Sequence, residues 1–405
     1  MGFGTLSFMK PLLVKEYLLN HTLSDLSRNH GVKARINGRK FSLNYDMIEA
    51  KDNDPLSSQC RGVVLYRNRD GAFDENTIVG STEILCRPME RFFNHGQGAA
   101  SNVAFGSSRI FEKLDGTMCA LHFDRFQEQW HVATRSVSEA DLPIDGFGCH
   151  TFRSLFEKAV RDTSGLCFEE WLSKENLDKT KTYIFELCTP ENQIVVKYND
   201  YQIFLLSIRN NDSGLEEEID QLTFIPSCPS YELSSFDDIM KFISNRNASE
   251  HEGVVLRDCN FNRIKIKNAN YLALNKIRDN ALKSPRSLLQ LALAEKLDDA
   301  IPLLPPHAVE KAEEMKISLR RVIINLQNSY ADIIIEVGYY EDPREYRKQI
   351  ALCVKKYNAN MEYVMMRFTG KIAGFHDFAE MHKEANGDYK TSFLDMLLNE
   401  IDKIK

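Results

Sequence analysis

The sequence predicts an α+β protein in two parts, a region of antiparallel sheets followed by an all-helical region. Three observations carry that reading. Short apolar runs bounded by turn residues recur up to residue 267, as in Cys60–Tyr66 and Glu252–Arg257. From about Ala269 such runs stop, and Leu288–Leu297, His307–Val337, Arg344–Phe368 and Thr391–Ile404 repeat their apolar residues at helical spacing. Pro302, Pro305-Pro306, Pro343 and Gly370 punctuate those segments. The shift sets an expected boundary near residue 282, giving domains 1–282 and 283–405.

Taken in order, Val14–Leu26 reads as weakly helical, and Arg35–Tyr45 as short strands around the turn pair Asn37-Gly38. Strands are expected at Cys60–Tyr66, with Arg61 at the entrance, and at Ile78–Cys86. Arg87–Asn94 follows, dense in cations and aromatics. Arg109–Phe111 and Met118–Phe123 read as strands on either side of Glu112-Lys113-Leu114-Asp115-Gly116-Thr117. Gly116 there is expected to supply backbone angles that other residues resist. Trp130–Arg135 is a further strand, and Thr151–Lys174 is helical because Phe152, Leu155, Phe156, Ala159 and Val160 recur at three- and four-residue steps. Strands at Thr182–Cys188, Gln193–Tyr198 and Tyr201–Ile208 come next. Ser234 or Ser235 caps a short helix running to Asn245, with Asp237 and Asp238 in its first turn. Glu252–Arg257 and Arg263–Lys267 form a strand pair.

Composition excludes several classes. The 405 residues are 43% hydrophobic and 27% charged, and the net charge of −7 gives no global attraction to nucleic acid, so any such contact needs a local basic surface. Nine cysteines without a Cys-x-x-Cys pair argue for reduced thiols in a cytoplasmic compartment and against structural zinc. Gly2 is followed by Leu6 where N-myristoylation needs Ser or Thr, and no run approaches the ~20 apolar residues of a membrane span. No membrane partner is expected, and the chain is expected to be a monomer.

Chemistry concentrates in five stretches: Lys113 with Asp115-Gly116-Thr117, Glu186, Glu252-Gly253, Lys265-Ile266-Lys267, and Arg61 with Arg91. Taken singly each has an ordinary explanation, as a hairpin turn, an edge charge or the wet face of a strand. Their order and spacing resemble the lysine-dependent nucleotidyltransferases, the superfamily of ATP-dependent ligases and mRNA capping enzymes. Lys113–Thr117 resembles the signature Lys-x-Asp-Gly motif, Glu186 the third motif, Glu252-Gly253 the fourth and Lys265–Lys267 the fifth. Within that superfamily the chain is most similar to the bacteriophage RNA ligase 1 family. Thr117 stands where DNA ligases and capping enzymes usually place Arg. Arg87–Asn94 is similar to that family's Pro-Met-Glu-Lys-Phe-Phe-Asn segment, with Arg91 in place of Lys. Tyr271 lies four residues past the second lysine, as in that family.

The resemblance covers roughly residues 55–282. It implies a ligase-type nucleotidyltransferase fold, ATP and Mg2+ as cofactors (with Mn2+ able to substitute), and RNA bearing 5′-phosphate and 3′-hydroxyl ends as partner. Lys113 would attack the α-phosphorus of ATP, AMP would pass to the RNA 5′-phosphate, and the 3′-hydroxyl would displace it, in repair of a broken tRNA or other structured RNA. A DNA ligase, a capping guanylyltransferase and a catalytically silent RNA-end-binding protein are the alternatives.

The first step needs a neutral amine facing a polyanion. Lys265 and Lys267, on one strand face, are expected to lower the Lys113 proton affinity and neutralise the α-phosphate. Arg61 and Arg91 are expected to clamp the β- and γ-phosphates, with Arg135 a further phosphate cation. Glu186 is assigned to the ribose hydroxyls, and Glu252 to a hydrated magnesium or to orienting Lys113. Glu112 or its adjacent backbone is assigned to the adenine amine, and Tyr271 to the pyrophosphate end. Asp115 and Thr117 are assigned to shaping the corner. Arg257, Arg263, Lys276 and Arg278, with Phe261 and Tyr271, form the expected RNA surface, and the helical domain the expected source of RNA specificity.

Overall fold

In the computed structural model the Asn37-Gly38 turn closes a two-stranded hairpin, β1 (Val32–Asn37) with β2 (Lys40–Tyr45), with Gly38 at a φ of 62°. Residues 9–46, 49–141, 151–220, 222–294, 297–301, 304, 306–384 and 388–403 are described. The Gly2 and Cys149 assignments lie outside them. Adding β3 (Arg61–Arg67) and β4 (Thr82–Cys86) gives an antiparallel sheet in the order β1-β2-β3-β4. Two short helices, Leu13–Tyr17 and Leu23–His30, cover it by burying Val14, Leu18, Leu23 and Leu26 against Phe41, Val63 and Leu65. The weakly helical stretch is therefore two helices, the second opened by a capping box at Thr22 and Asp25.

After β5 (Phe93–Asn94) the chain enters β6 (Arg109–Glu112), and beyond Lys113–Gly116 it enters β7 (Thr117–Asp124) and β8 (Gln129–Ala133). The helical stretch from Thr151 splits into Phe152–Ser164 and Phe168–Glu175, since Gly165 ends the first helix in the left-handed region. Then come β9 (Lys181–Cys188), β10 (Gln202–Asn210), β11 (Glu216–Glu217) and β12 (Ser230–Tyr231), the helix Phe236–Ser244 capped by Ser235, β13 (Gly253–Arg257) and β14 (Arg263–Lys267). Gln193–Tyr198, expected as a strand, is irregular: two of its N–H groups are taken by a side chain described below instead of by a neighbouring strand.

Two five-stranded sheets result, β11-β10-β9-β7-β8 and β12-β6-β13-β14-β5, antiparallel apart from the β14–β5 pair. β6 and β7 belong to different sheets, so Lys113–Gly116 is a crossing between layers and not a hairpin. One core packs Leu155, Phe156 and Trp171 against Phe185 and Leu205, and a second packs Ile239 and Ile243 against Ile110, Val254, Leu256 and Ile266.

The helix Ala269–Lys283 follows, and the chain divides into two units at Ala273/Leu274, inside that helix and nine residues before residue 282. The second unit is helical: Pro285–Leu293, Leu297–Ala300, Pro306–Val337, Pro343–Lys356, Met361–Phe368, Phe375–Glu380 and Thr391–Lys403. Its main core joins Leu289, Leu319, Val322, Tyr363, Phe378, Phe393 and Leu397.

Candidate active site

The crossing between the sheets is fixed by Asp115. Its carboxylate is buried and accepts the N–H groups of Val195 and Val196 (2.8 Å each) and the Tyr271 hydroxyl (2.7 Å). Its own N–H donates to the Tyr198 hydroxyl oxygen (3.1 Å). Burial, with the negative charge of Glu252, pushes the Asp115 carboxyl up, while these hydrogen bonds hold it down. Thr117 accepts from the Asn192 side chain (3.0 Å), which also donates to the Leu187 carbonyl (2.7 Å). Gly116 is needed for space: a Cβ there would lie 2.3 Å from the Leu187 carbonyl oxygen. The expectation that it supplies a left-handed turn is corrected, since it is not among the glycines of positive φ.

Three strands meet at Gly253. Its carbonyl accepts the Lys113 N–H (2.9 Å), and it stands opposite Lys267 in the β13–β14 register. Its φ of 148° and a Cβ that would fall 2.1 Å from the Ile266 oxygen leave only glycine. Glu252, 3% exposed, is thereby placed between two lysines: Lys113 Nζ lies 2.6 Å from Oε2 and Lys267 Nζ 2.7 Å from Oε1. Lys265, two residues before Lys267, shares its strand face, since Ile264 and Ile266 alternate with them into the core. Burial first, then Lys113, Lys267 and Arg61, push the Lys265 ammonium down to about 8. Cationic crowding in this cluster therefore acts on Lys265 itself.

Glu186 faces the same space from β9. Its Oε1 accepts the Gly116 N–H (3.1 Å), and burial pushes its carboxyl up to about 7 against the pull of Lys113 and Arg61.

The arginines form a second group. Arg91 is sandwiched by Tyr45 and Phe93 (4.6 and 4.7 Å from guanidinium carbon to ring centre), and Arg135 lies over the same Tyr45 ring at 5.0 Å. Arg61 and Lys265 both lie over Phe92, at 5.4 and 5.5 Å. Burial lowers the Arg61 guanidinium from its ordinary range, with Arg135 adding to the effect and Tyr45 opposing it. Arg61 Nη1, Arg91 Nη1 and Arg135 Nε are buried with no hydrogen-bond partner, while Arg91 Nη2 pairs with Asp52 (2.7 Å) and Arg135 Nη2 donates to Asn44 (3.4 Å). Three buried N–H groups without acceptors suit an incoming anion with several oxygens.

Several assignments change. Tyr271, expected at the pyrophosphate end, is buried beneath the corner with its hydroxyl given to Asp115. Both Glu112 oxygens are engaged, Oε2 by the Tyr231 hydroxyl and Oε1 by His251 Nδ1, and its backbone oxygen accepts the Cys228 thiol. The Glu112 side chain, one of the two expected acceptors for the adenine amine, is thus committed to Tyr231 and His251. Arg257 and Arg263 are buried and paired with Glu218 and Glu216, so they form no RNA surface. Lys276 and Arg278 belong to the second unit. Tyr45, Asn44, Asp52, Tyr198, Asn192, Tyr231 and His251 were missed. The aromatic density of Arg87–Asn94 was the one sequence signal near this group.

Among the described residues no cluster of three or more His, Cys, Asp or Glu could hold a metal ion. A lone carboxylate such as Glu252 fits a hard cation that keeps its waters and takes its other ligands from phosphate.

A family model described as RNA ligase matches residues 59–271. The chain is 24% identical over 413 aligned residues to the RNA ligase of Rhodothermus phage RM378, covering 85% of this chain and 90% of that one. It is 27% identical over 275 residues to an Autographa californica nuclear polyhedrosis virus protein whose name couples a polynucleotide kinase with an RNA ligase. That match covers 65% of this chain and 37% of the viral protein's length. Among solved structures, an archaeal ATP-dependent RNA ligase shares 11% identity across 97% of this chain and 99% of that one, at a TM-score of 0.44, too distant to argue from. The family match takes in the corner, β13, β14 and the three arginines, and with it the chain belongs to the RNA ligase family.

Proposed function

We propose that the protein joins RNA ends with ATP through a lysyl-AMP intermediate on Lys113. The observation that carries this reading is Glu252 held between Lys113 and Lys267 with Lys265 on the same strand face, beside buried arginine N–H groups that have no acceptor. In the first step the Lys113 nitrogen forms a bond to the α-phosphorus as the bond to pyrophosphate breaks. The ammonium must first lose a proton, and the Glu252 carboxylate is the acceptor in reach. Lys265 and Lys267 offset charge on the α-phosphate, and Arg61, Arg91 and Arg135 hold the leaving phosphates. Glu186 accepts from the ribose hydroxyls with the oxygen that Gly116 leaves free. Mg2+ arriving with the nucleotide would neutralise phosphate charge, and Glu252 would hold its waters. AMP then passes from nitrogen to the oxygen of an RNA 5′-phosphate, and an RNA 3′-hydroxyl displaces it.

The reading includes a monomeric chain in a reducing compartment, supported by eight free cysteines among the described residues, and structured RNA such as broken tRNA as substrate, selected by the helical unit. Among those residues no helix is long and apolar enough to cross a membrane.

The test is incubation with magnesium and α-labelled ATP, GTP or dATP. A labelled protein whose adduct survives alkali and is released by acid, as a lysyl phosphoramidate must be, is expected with ATP and absent in Lys113→Ala. A folded wild-type chain that binds RNA ends and never labels would make it a silent end-binding protein.

A further inference from the structure

The helical unit carries a surface that the nucleotide chemistry does not use. The helix Pro343–Lys356 buries Ile350 and Val354 and leaves Arg344, Arg347, Lys348, Lys355 and Lys356 exposed. Against those five cations the helix has one carboxylate, Glu345, and Glu341 and Asp342 precede it, a net of +2 over residues 339–356 in a chain whose total is −7. Steps of four and seven place Arg344, Lys348 and Lys355 in one row, roughly 16 Å long at 1.5 Å per residue, and Arg347, three residues past Arg344, flanks it. Lys348 lies 3.3 Å from Glu345 and Lys356 lies 2.5 Å from Glu336. Arg344, Arg347 and Lys355 have no carboxylate partner among the described residues.

An aromatic group heads the row. Tyr339, 82% exposed, sits in the turn before this helix. Its ring lies edge-on to Tyr346 at 6.2 Å, Tyr340 packs on the same ring at 6.0 Å, and Tyr346 is set edge-on against Phe368 at 4.9 Å, in the cluster with Ile350 and Val354. A braced tyrosine therefore presents an open face where the cations begin. Cations in a row beside an open aromatic ring match a strand with phosphates on one side and unstacked bases on the other. A membrane surface fits worse: a helix lying in lipid needs its apolar face outward, and here that face is the unit's own core.

We propose that the outward face of Pro343–Lys356, headed by Tyr339, is a contact surface for single-stranded RNA. Phosphates lie on Arg344, Arg347 and Lys355, and a base stacks on Tyr339. This inference rests on the RNA ligase reading and names where in the helical unit the RNA is held.

The experiment uses the full chain and a 5′-phosphorylated oligouridylate, with affinity measured across a salt series. Arg344→Gln, Arg347→Gln and Lys355→Gln are combined, all exposed and all replaced by a good helix former. Three phosphate contacts on a single strand correspond to a salt slope shallower by about 2 and an affinity loss on the order of a hundredfold at 0.1 M salt. Tyr339→Ala should cost about tenfold with the salt slope unchanged. A control triple, Arg320→Gln, Arg321→Gln and Lys371→Gln, removes the same charge from exposed sites elsewhere in the unit and should leave affinity nearly intact. Labelling of Lys113 by ATP, followed in parallel, should match wild type in every variant. Loss of that labelling in wild type would count against the ligase reading alone. Equal losses in the two triples, or an unchanged slope in the first, would overturn the proposed surface. So would wild-type RNA affinity in the first triple together with lost binding to phosphatidylserine vesicles.

Discussion

Replacing Lys265 by Met should make the protein more stable and nearly inactive at once. The unfolded chain holds the lysine proton up to the ordinary 10.5, whereas burial beside Lys113, Lys267 and Arg61 lets the folded chain hold it only to about 8. A difference of about 2.5 units corresponds to roughly 3 kcal/mol against the charged form in the fold. Some of that is offset by contacts of the ammonium that Met cannot make, including the one over Phe92. A net gain of about 1–2 kcal/mol is therefore expected below pH 8, where the cost of charge is present in full. As pH rises from 8 toward 10.5 the unfolded chain also loses its proton, and the gain should fade. Adenylylation should fall by ~10²-fold or more, the scale of losing one positioned charge at a phosphate. Unfolding in urea can be followed by tryptophan fluorescence, since Trp130 and Trp171 are the only two tryptophans and both lie in the first unit. Single-turnover labelling gives the rate. A variant no more stable than wild type at pH 7, or equally stabilised at pH 7 and 10.5, would refute the burial argument. Labelling at the wild-type rate would remove Lys265 from the phosphate step.

Gly116→Ala should destabilise the first unit by about 2–3 kcal/mol and lose labelling, because the Leu187 carbonyl it would meet is backbone and cannot swing aside; a wild-type urea midpoint would show that the layer crossing yields. Glu186→Gln should remove the acid limb of kcat/KM for ATP near pH 7, since in the free protein the carboxyl is held up to about 7 and only its ionised form is the stronger acceptor. A limb that survives in the variant would assign it to another group. His251→Ala should slow labelling about tenfold with little change in KM, because His251 and Tyr231 brace Glu112, one residue from the nucleophile. His251→Gln should recover part of that rate, and equal rates in both variants would deny the brace a positioning role.

The sequence by itself determined what repeats locally. The two-residue period of Lys265-Ile266-Lys267 predicts two cations on one face and an isoleucine in the core, and β14 has that arrangement because strand geometry depends on nothing farther away. The apolar spacing of Phe152–Val160 and the loss of strand patterns after Ala269 carried the helices and the α+β division in the same way. What touches what across the chain was decided only by the tertiary structure. Nothing near Asp115 in sequence indicates that Val195, Val196 and Tyr271 would satisfy its carboxylate, or that this contact would draw Gln193–Tyr198 out of a strand. Arg257 and Arg263 read as surface cations because side-chain type says nothing of an acidic partner 39 or 47 residues away, and Glu218 and Glu216 pair with them in the interior. The contact of Glu252 with Lys113, one of the two roles expected for that carboxylate, likewise depends on the fold. Residues 139 apart in the chain become neighbours only when β6 pairs with β13, and that pairing is fixed by two packed cores and not by either motif.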